Sequence, residues 1–285
     1  RGGNDDPRSS AHRSPPPEGA RAGLGAARRS ARNAMTTVLE TRNLVKRFGG
    51  FAATNDVSLK VEKGARQALI GPNGAGKTTL INLLTGVLEP TAGTVMLEGE
   101  DITKLPSHQR VRRGIVRTFQ INQLFSELTP LQSLALTVSN QLGISARFWQ
   151  ALGRDERVAA RCEQLLAQFH LDDVQDQKVA LLAYGKRRQL EIATALACAP
   201  RVLLLDEPVA GVPEGERQEI FDIVNALPAE VTVLLIEHDM DLVFNFARTV
   251  SVLVNGSLFA EGDVKSIAND PRVKSVYLGE GTPHG

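Results

Sequence analysis

The stretch Gly71-Pro72-Asn73-Gly74-Ala75-Gly76-Lys77-Thr78-Thr79 fits the pattern G-x-x-x-x-G-K-[ST] and constrains the chain more than any other segment. It follows Gln67-Ala68-Leu69-Ile70, which reads as a buried strand. It runs into Thr79 to Thr85, whose apolar spacing reads as a helix stopped by Gly86. A strand, a glycine-rich loop and a helix in that order make a phosphate cradle. Glycines let the backbone curl without side-chain clashes, so its N–H groups and the helix N-terminus face an anion. Lys77 can then reach the terminal phosphates, and the Thr78 hydroxyl can ligate Mg²⁺. A glycine-rich turn beside a surface lysine is the simpler alternative, and the flanking strand and helix argue against it. No G-x-G-x-x-G register can be drawn here, which excludes a dinucleotide fingerprint.

The rest of the chain supplies carboxylates of the kind such a loop needs. Arg201 to Pro208 reads as a continuous apolar strand ending in Asp206-Glu207, the pattern of a parallel strand buried on both faces. Acidic side chains at that end suit a metal and a water: phosphates carry the ion, one carboxylate reaches it, and the next polarises water. Val231 to Ile236 reads as a second buried strand, ending in Glu237-His238-Asp239. A histidine at that edge can donate to a phosphate or orient a water. Ligands of open α/β sheets bind at this same edge.

Other elements follow in outline. Val38 to Thr41 and Asp56 to Val61 read as strands of an antiparallel sheet, joined by Thr94 to Gly99. Between the first two, Phe48 stands beside Gly49-Gly50, where it either stacks on a base or serves as a core aromatic at a turn. Arg113 to Gln120 reads as a strand ending in glutamine. Residues 121–180 then turn helical, notably Arg157 to His170 with Leu165, Leu166 and Phe169 on one face; Trp149 falls in a hairpin or loop over 143–153. His170 is expected at a helix end on the surface. A helix is expected over Lys186 to Ala197 with Leu190, Ala193, Leu196 and Ala197 inward. Its Lys186-Arg187-Arg188 run reads as a solvated face, or as a cluster near an anion at the helix N-terminus. Glu216 to Ala226 reads as helix, Ser251 to Ala260 as a hairpin around Asn255-Gly256, and 263–278 as a short terminal helical segment.

Composition narrows the class. At 285 residues, 42% apolar and 23% charged, the chain is of globular type, and a net charge of +1 gives no field for nucleic acid. Cys162 and Cys198 are too few for a disulfide framework and suit a reducing cytosol. No apolar stretch, Val231 to Ile236 included, approaches the roughly 20 residues that span a bilayer. Residues 1–34 are rich in Arg, Ser, Pro, Gly and Ala without apolar periodicity. They are expected to be a disordered tail, with Met35 as the native start, leaving 35–285 as the functional domain.

The ordered set of motifs resembles the ATP-binding subunits of ABC transporters over about residues 37–280. The resemblance implies a P-loop NTPase core, a mostly parallel sheet flanked by helices, with an antiparallel β-subdomain and a helical subdomain inserted over about 121–185. It makes Gly71–Thr79 the nucleotide loop, Gln120 the glutamine that senses metal and water, and Val202–Asp206 the strand bearing the metal-binding Asp206. It makes Glu207 the general base, His238 the γ-phosphate histidine, and Phe48 the adenine-stacking aromatic. Leu182-Ala183-Tyr184-Gly185-Lys186 corresponds to the signature segment that closes over a partner's nucleotide. Wording such as Leu182-Ala183-Tyr184-Gly185, Arg117-Thr118-Phe119-Gln120 and Glu237-His238-Asp239-Met240 is similar to that of branched-chain amino acid uptake ATPases.

The resemblance implies ATP and Mg²⁺, with permease subunits as partners and a second ATP-binding subunit, a heterodimer being favoured over a homodimer. It also implies an indirect periplasmic or extracellular solute-binding protein, no nucleic acid, and a place on the cytoplasmic face of the bacterial inner membrane. Two positions depart from the family. Ala183 stands where a serine is usual, and Pro213 where Asp or Asn is usual. Importers of urea or amides share the same wording, and exporters share the motifs. A soluble ABC protein on DNA or ribosomes would carry paired cassettes or a long coiled coil, and a P-loop kinase would need no signature helix or switch histidine.

Overall fold

The computed structural model describes residues 2, 36–118, 124–144 and 155–278. The expectations for the tail, for Gln120 and for Trp149 lie outside the described residues. From Thr37 onward the chain forms one compact unit.

Two sheets organise it. The first is antiparallel. β1 (Thr37–Phe48) is flanked by β2 (Phe51–Val57), β3 (Lys60–Glu62) and β5 (Ala92–Leu97), with β6 (Glu100–Asp101) beyond β5. The single strand expected over Asp56 to Val61 is in fact two. β2 pairs with the Leu44–Phe48 end of β1 and β3 with its Thr37–Glu40 end. The buried Thr41 hydroxyl bridges the break, donating to the Val57 carbonyl and accepting from the Leu59 N–H, both at 2.9 Å. That hydroxyl replaces the ladder bonds lost where the chain changes partner.

The second sheet runs in the order β11-β10-β4-β9-β8-β7, with β4 (Arg66–Ile70), β7 (Ile115–Arg117), β8 (Val202–Asp206), β9 (Thr232–Ile236) and β10 (Thr249–Val254) parallel. Only β11 (Ser257–Asp263) runs against its neighbour, through a tight turn at Asn255-Gly256 whose φ values are 49° and 77°. Because side chains alternate along a strand, each parallel strand feeds two cores. Val202, Leu204, Leu234 and Ile236 pack towards the antiparallel sheet and α1 (Lys77–Leu84). Leu203, Leu205, Val233 and Leu235 pack towards the other helices.

Those helices include the segment between β7 and β8: α3 (Pro130–Gln141), α4 (Glu156–Gln168) and α5 (Tyr184–Ala197), after the short α2 (Ser107–Arg112). α3 opens with a full capping box between Thr129 and Gln132. Leu165, Leu166 and Phe169 are buried, as their spacing suggests, and His170 is exposed at the helix end with Nδ1 3.0 Å from Glu219. The inserted helices share one apolar cluster with the sheet face rather than holding a core of their own. α6 (Glu214–Asn225), α7 (Met240–Phe246), α8 (Val264–Asn269) and α9 (Pro271–Leu278) complete the fold. Among the described residues no helix is long and apolar enough to cross a membrane.

Candidate functional site

The register of the parallel sheet places the sequence motifs along one edge. Asp206 pairs with Ile236, and Ile236 with Leu69. Gly71, Glu207 and His238 therefore all leave their strands within two residues of one line. This is the carboxyl edge, where open α/β sheets bind ligands.

The loop Gly71–Gly76 is shaped by close backbone approach. A Cβ on Gly71 would lie 2.2 Å from the Leu253 carbonyl oxygen, and one on Gly76 would lie 2.4 Å from that of Ala53. Both have positive φ, 154° and 98°, so only glycine fits them without displacing β10 or β2. The Gly256 N–H donates to the Ala75 carbonyl at 2.9 Å, which ties the loop to the β10–β11 turn. No side chain caps α1, whose first-turn N–H groups belong to Lys77, Thr78 and Thr79. An uncapped N-terminus behind a glycine loop is an anion cradle. The Lys77 ammonium donates to the Gly71 and Pro72 carbonyls at 2.5 and 3.0 Å, folded over the loop it would share with a phosphate. At the far end of α1 the buried Arg110 guanidinium donates to the Leu83 and Leu84 carbonyls at 2.7 and 2.8 Å, a cation at the negative end of the helix.

Phe48 ends β1 opposite Phe51, and its ring is half exposed beneath the Lys46 ammonium, 5.3 Å from the ring centre. The core-aromatic alternative is thus excluded. Ala53, which touches Gly76, lies only two residues along β2 from Phe51.

Asp206 closes β8 with its N–H donated to the Thr118 hydroxyl at 3.2 Å. Its carboxylate accepts from Arg117 Nη2 at 2.5 Å, while Arg117 Nη1 donates to Asn82 on α1 at 2.8 Å. An arginine thus sits against the carboxylate expected to meet a metal, and links it to the helix behind the phosphate loop. Among the described residues no group of three or more His, Cys, Asp or Glu could hold a metal by itself. The donor set therefore fits Mg²⁺ only if phosphate oxygens supply most ligands, as is usual for that ion. Glu207 turns away from β8 at a φ of 46°, and its Oε1 lies 3.5 Å from His238 Nδ1. Glu237, beside them, is fully buried and accepts from the His238 and Asp239 N–H groups at 3.0 and 3.2 Å; burial pushes its carboxyl up.

The Leu182–Lys186 segment sits elsewhere on the chain. α5 begins at Tyr184, two residues before the expected start, with Ala183 as its N-cap and no side-chain cap bond. Leu182 is buried. The Tyr184 hydroxyl donates to the Ala210 carbonyl at 2.9 Å, and the Gly185 N–H donates to Glu216 Oε2 at 3.1 Å. Lys186 reaches the His170 carbonyl and Asp173, at 2.5 and 3.0 Å. Pro213 is the N-cap of α6, whose first turn carries Glu214 and Glu216.

The solvated-face reading of Lys186-Arg187-Arg188 is corrected by these contacts. Arg187 donates to the Leu182 and Ala180 carbonyls at 2.9 and 2.8 Å. Arg188 is buried in an ion pair with Glu191, also buried. A charge run in sequence cannot show the free carbonyls that a neighbouring turn presents to it. Burial pushes the Glu191 carboxyl up to about 7, against the pull of Arg188. A carboxyl raised in the fold adds stability below its unfolded value and loses that contribution as pH rises through about 7. Relative to wild type, Glu191→Gln is therefore expected to gain on the order of 2–3 kcal/mol in unfolding free energy between about pH 5 and about pH 8. Denaturant titrations at both pH values measure this; a stability difference that does not change with pH contradicts it.

Comparison with known proteins agrees with these features. The ABC transporter family model (ABC_tran) matches residues 54–210. A high-affinity branched-chain amino acid transport ATP-binding protein, BraF of Pseudomonas aeruginosa, is 41% identical over 250 residues, covering 85% of this chain and 98% of that one. A probable branched-chain amino acid transport ATP-binding protein, LivG of Methanocaldococcus jannaschii, is 37% identical over 251 residues, with 85% and 98% covered. The crystal structure of an ATP-binding cassette of an ABC transporter in its ADP conformation superposes with a TM-score of 0.73 at 36% identity, covering 85% of this chain and 99% of that one.

Proposed function

Because the chain belongs to the ABC transporter family of ATP-binding subunits, we propose that it hydrolyses ATP to drive an importer of branched-chain amino acids. The observation that carries the ATPase reading is the convergence of the Gly71–Gly76 loop, Asp206, Glu207 and His238 on one sheet edge. The solute class is supported by the named relatives, which align over nearly their whole length.

In this reading Phe48 stacks on the base and Gly71, Pro72, Asn73, Gly74, Ala75, Gly76, Lys77, Thr78 and Thr79 wrap the phosphates. Thr78, Asp206 and Gln120 would hold Mg²⁺, which would neutralise charge on the phosphate oxygens. For Asp206 to reach that ion, Arg117 would have to release it. Glu207 takes the proton of the attacking water, with His238 steadying the γ-phosphate. Leu182, Ala183, Tyr184, Gly185 and Lys186 cover the nucleotide of a second, non-identical ATP-binding subunit. Without a serine at 183, that contact rests on backbone N–H groups and the helix dipole.

The helical insertion over about 121–185 is the proposed seat of the permeases. Where α3 of that insertion meets β7 and α5, a cavity of about 150 Å³ is lined by Val116, Leu136, Ala195 and Glu191. The chain would thus lie at the cytoplasmic face of the inner membrane through its permeases, served by a solute-binding protein outside. Affinity purification from mildly solubilised membranes tests the assembly. Two hydrophobic permeases and a distinct ATPase are expected to co-purify. Recovery of the chain alone, or bound to nucleic acid, would sink this reading.

A further inference from the structure

The buried guanidinium of Arg188 is aimed at the turn that carries Glu207. Its Nη2 donates to the carbonyls of Asp206 at 2.8 Å and Glu207 at 2.6 Å, and its Nε to that of Pro208 at 2.7 Å. Nη1 pairs with Glu191, one helical turn further along α5. A guanidinium carries five N–H donors in a fixed plane, so it can hold three successive carbonyls in one arrangement, which an ammonium cannot.

The turn needs such a holder. β8 ends at Asp206, and Glu207 departs at a positive φ of 46°, a conformation that costs a residue with a side chain. The Glu207 N–H donates to the Ile236 carbonyl at 2.9 Å, and the Glu207 carbonyl also accepts from the Ala210 N–H at 3.0 Å. The backbone of Glu207 is therefore gripped by β9 on one side and by α5 on the other. Its carboxylate alone is left to the open edge, 43% exposed.

We infer that Arg188 is a positioning residue for hydrolysis: by fixing the carbonyls of Asp206, Glu207 and Pro208 it sets the direction of the Glu207 carboxylate. The inference rests on Glu207 being the base toward water. The contacts named for Arg188 all go to its own chain, so it is given no part in holding nucleotide. A misdirected base lowers the rate of the chemical step and leaves the phosphate loop intact.

The test uses the full-length chain with Arg188→Met and Arg188→Lys, each alone and combined with Glu207→Gln. Turnover, KM and equilibrium ATP affinity are read for each. Arg188→Met is expected to lower kcat about 10²-fold with KM and ATP affinity within about threefold, and Arg188→Lys to recover about a tenth of wild-type kcat. In the Glu207→Gln background neither substitution is expected to lower the residual rate further, because residues acting through one another are not additive. An unchanged kcat in Arg188→Met, beside the expected loss in Glu207→Gln, overturns this inference alone. An equal further loss in the Glu207→Gln background also overturns it, since Arg188 would then act independently of the base. Wild-type turnover by Glu207→Gln itself overturns the role of Glu207 and this inference with it. Where Arg188→Met does not fold, Arg188→Lys carries the same comparisons.

Discussion

Glu207→Gln is expected to bind ATP within about threefold of wild type and to turn it over 10²–10³-fold more slowly, the usual share of a general base. The substitution keeps the size of the side chain and an acceptor oxygen, and removes only its ability to take a proton. The backbone that aims it does not depend on the carboxylate: the Glu207 N–H is held by Ile236 and its carbonyl by Arg188 and Ala210. In the proposed site, nucleotide affinity is assigned to a different part of the edge, the Gly71–Gly76 loop and the uncapped first turn of α1. Equilibrium ATP binding and steady-state hydrolysis on the same preparation separate the two effects. Loss of binding, or undiminished hydrolysis, contradicts the role given to Glu207.

Lys77→Ala is expected to reverse that pattern, weakening ATP on the order of 10²-fold, because it removes the charge-assisted bond that the ammonium would give the phosphates. The Lys77 ammonium already lies across the Gly71 and Pro72 carbonyls, so it is placed over the cradle before any phosphate arrives. The loop itself is held by other means, namely Gly256 against Ala75 and the close approach of Gly76 to Ala53. The fold should therefore survive, with a thermal midpoint near that of wild type. Nucleotide affinity within a fewfold of wild type would contradict the placement of Lys77 in the site.

Much of this site is legible in the sequence because its parts are local. The phosphate loop announces itself through glycines at positions where a side chain would strike Leu253 and Ala53. β8 and β9 are legible as unbroken apolar runs because both of their faces are buried. The Asn255-Gly256 turn is legible from two residues that tolerate positive φ. What the sequence hides is set by distant partners. The break between β2 and β3 depends on a hydroxyl at Thr41, on another strand. Arg117 gives no local sign of its pairing with Asp206, which lies 89 residues away.

Arg188 is the clearest case. Its neighbours Lys186 and Arg187 make it look like one of a solvated trio, and only the arrival of β8 beside α5 turns it inward. Its only local sign is Glu191 at i, i+3 on the same helix. The Gly185 N–H contact with Glu216 is hidden for the same reason: its acceptor comes from α6.

Transport by the assembled complex decides whether this chain couples ATP hydrolysis to solute import. The purified complex, in proteoliposomes with ATP on the side of this chain and leucine-loaded binding protein on the other, is to be assayed for labelled leucine. ATP-dependent leucine accumulation is expected with the wild-type chain, and none above background with Glu207→Gln. Equal accumulation with both chains, or none with either from a complex that still hydrolyses ATP, would contradict that coupling.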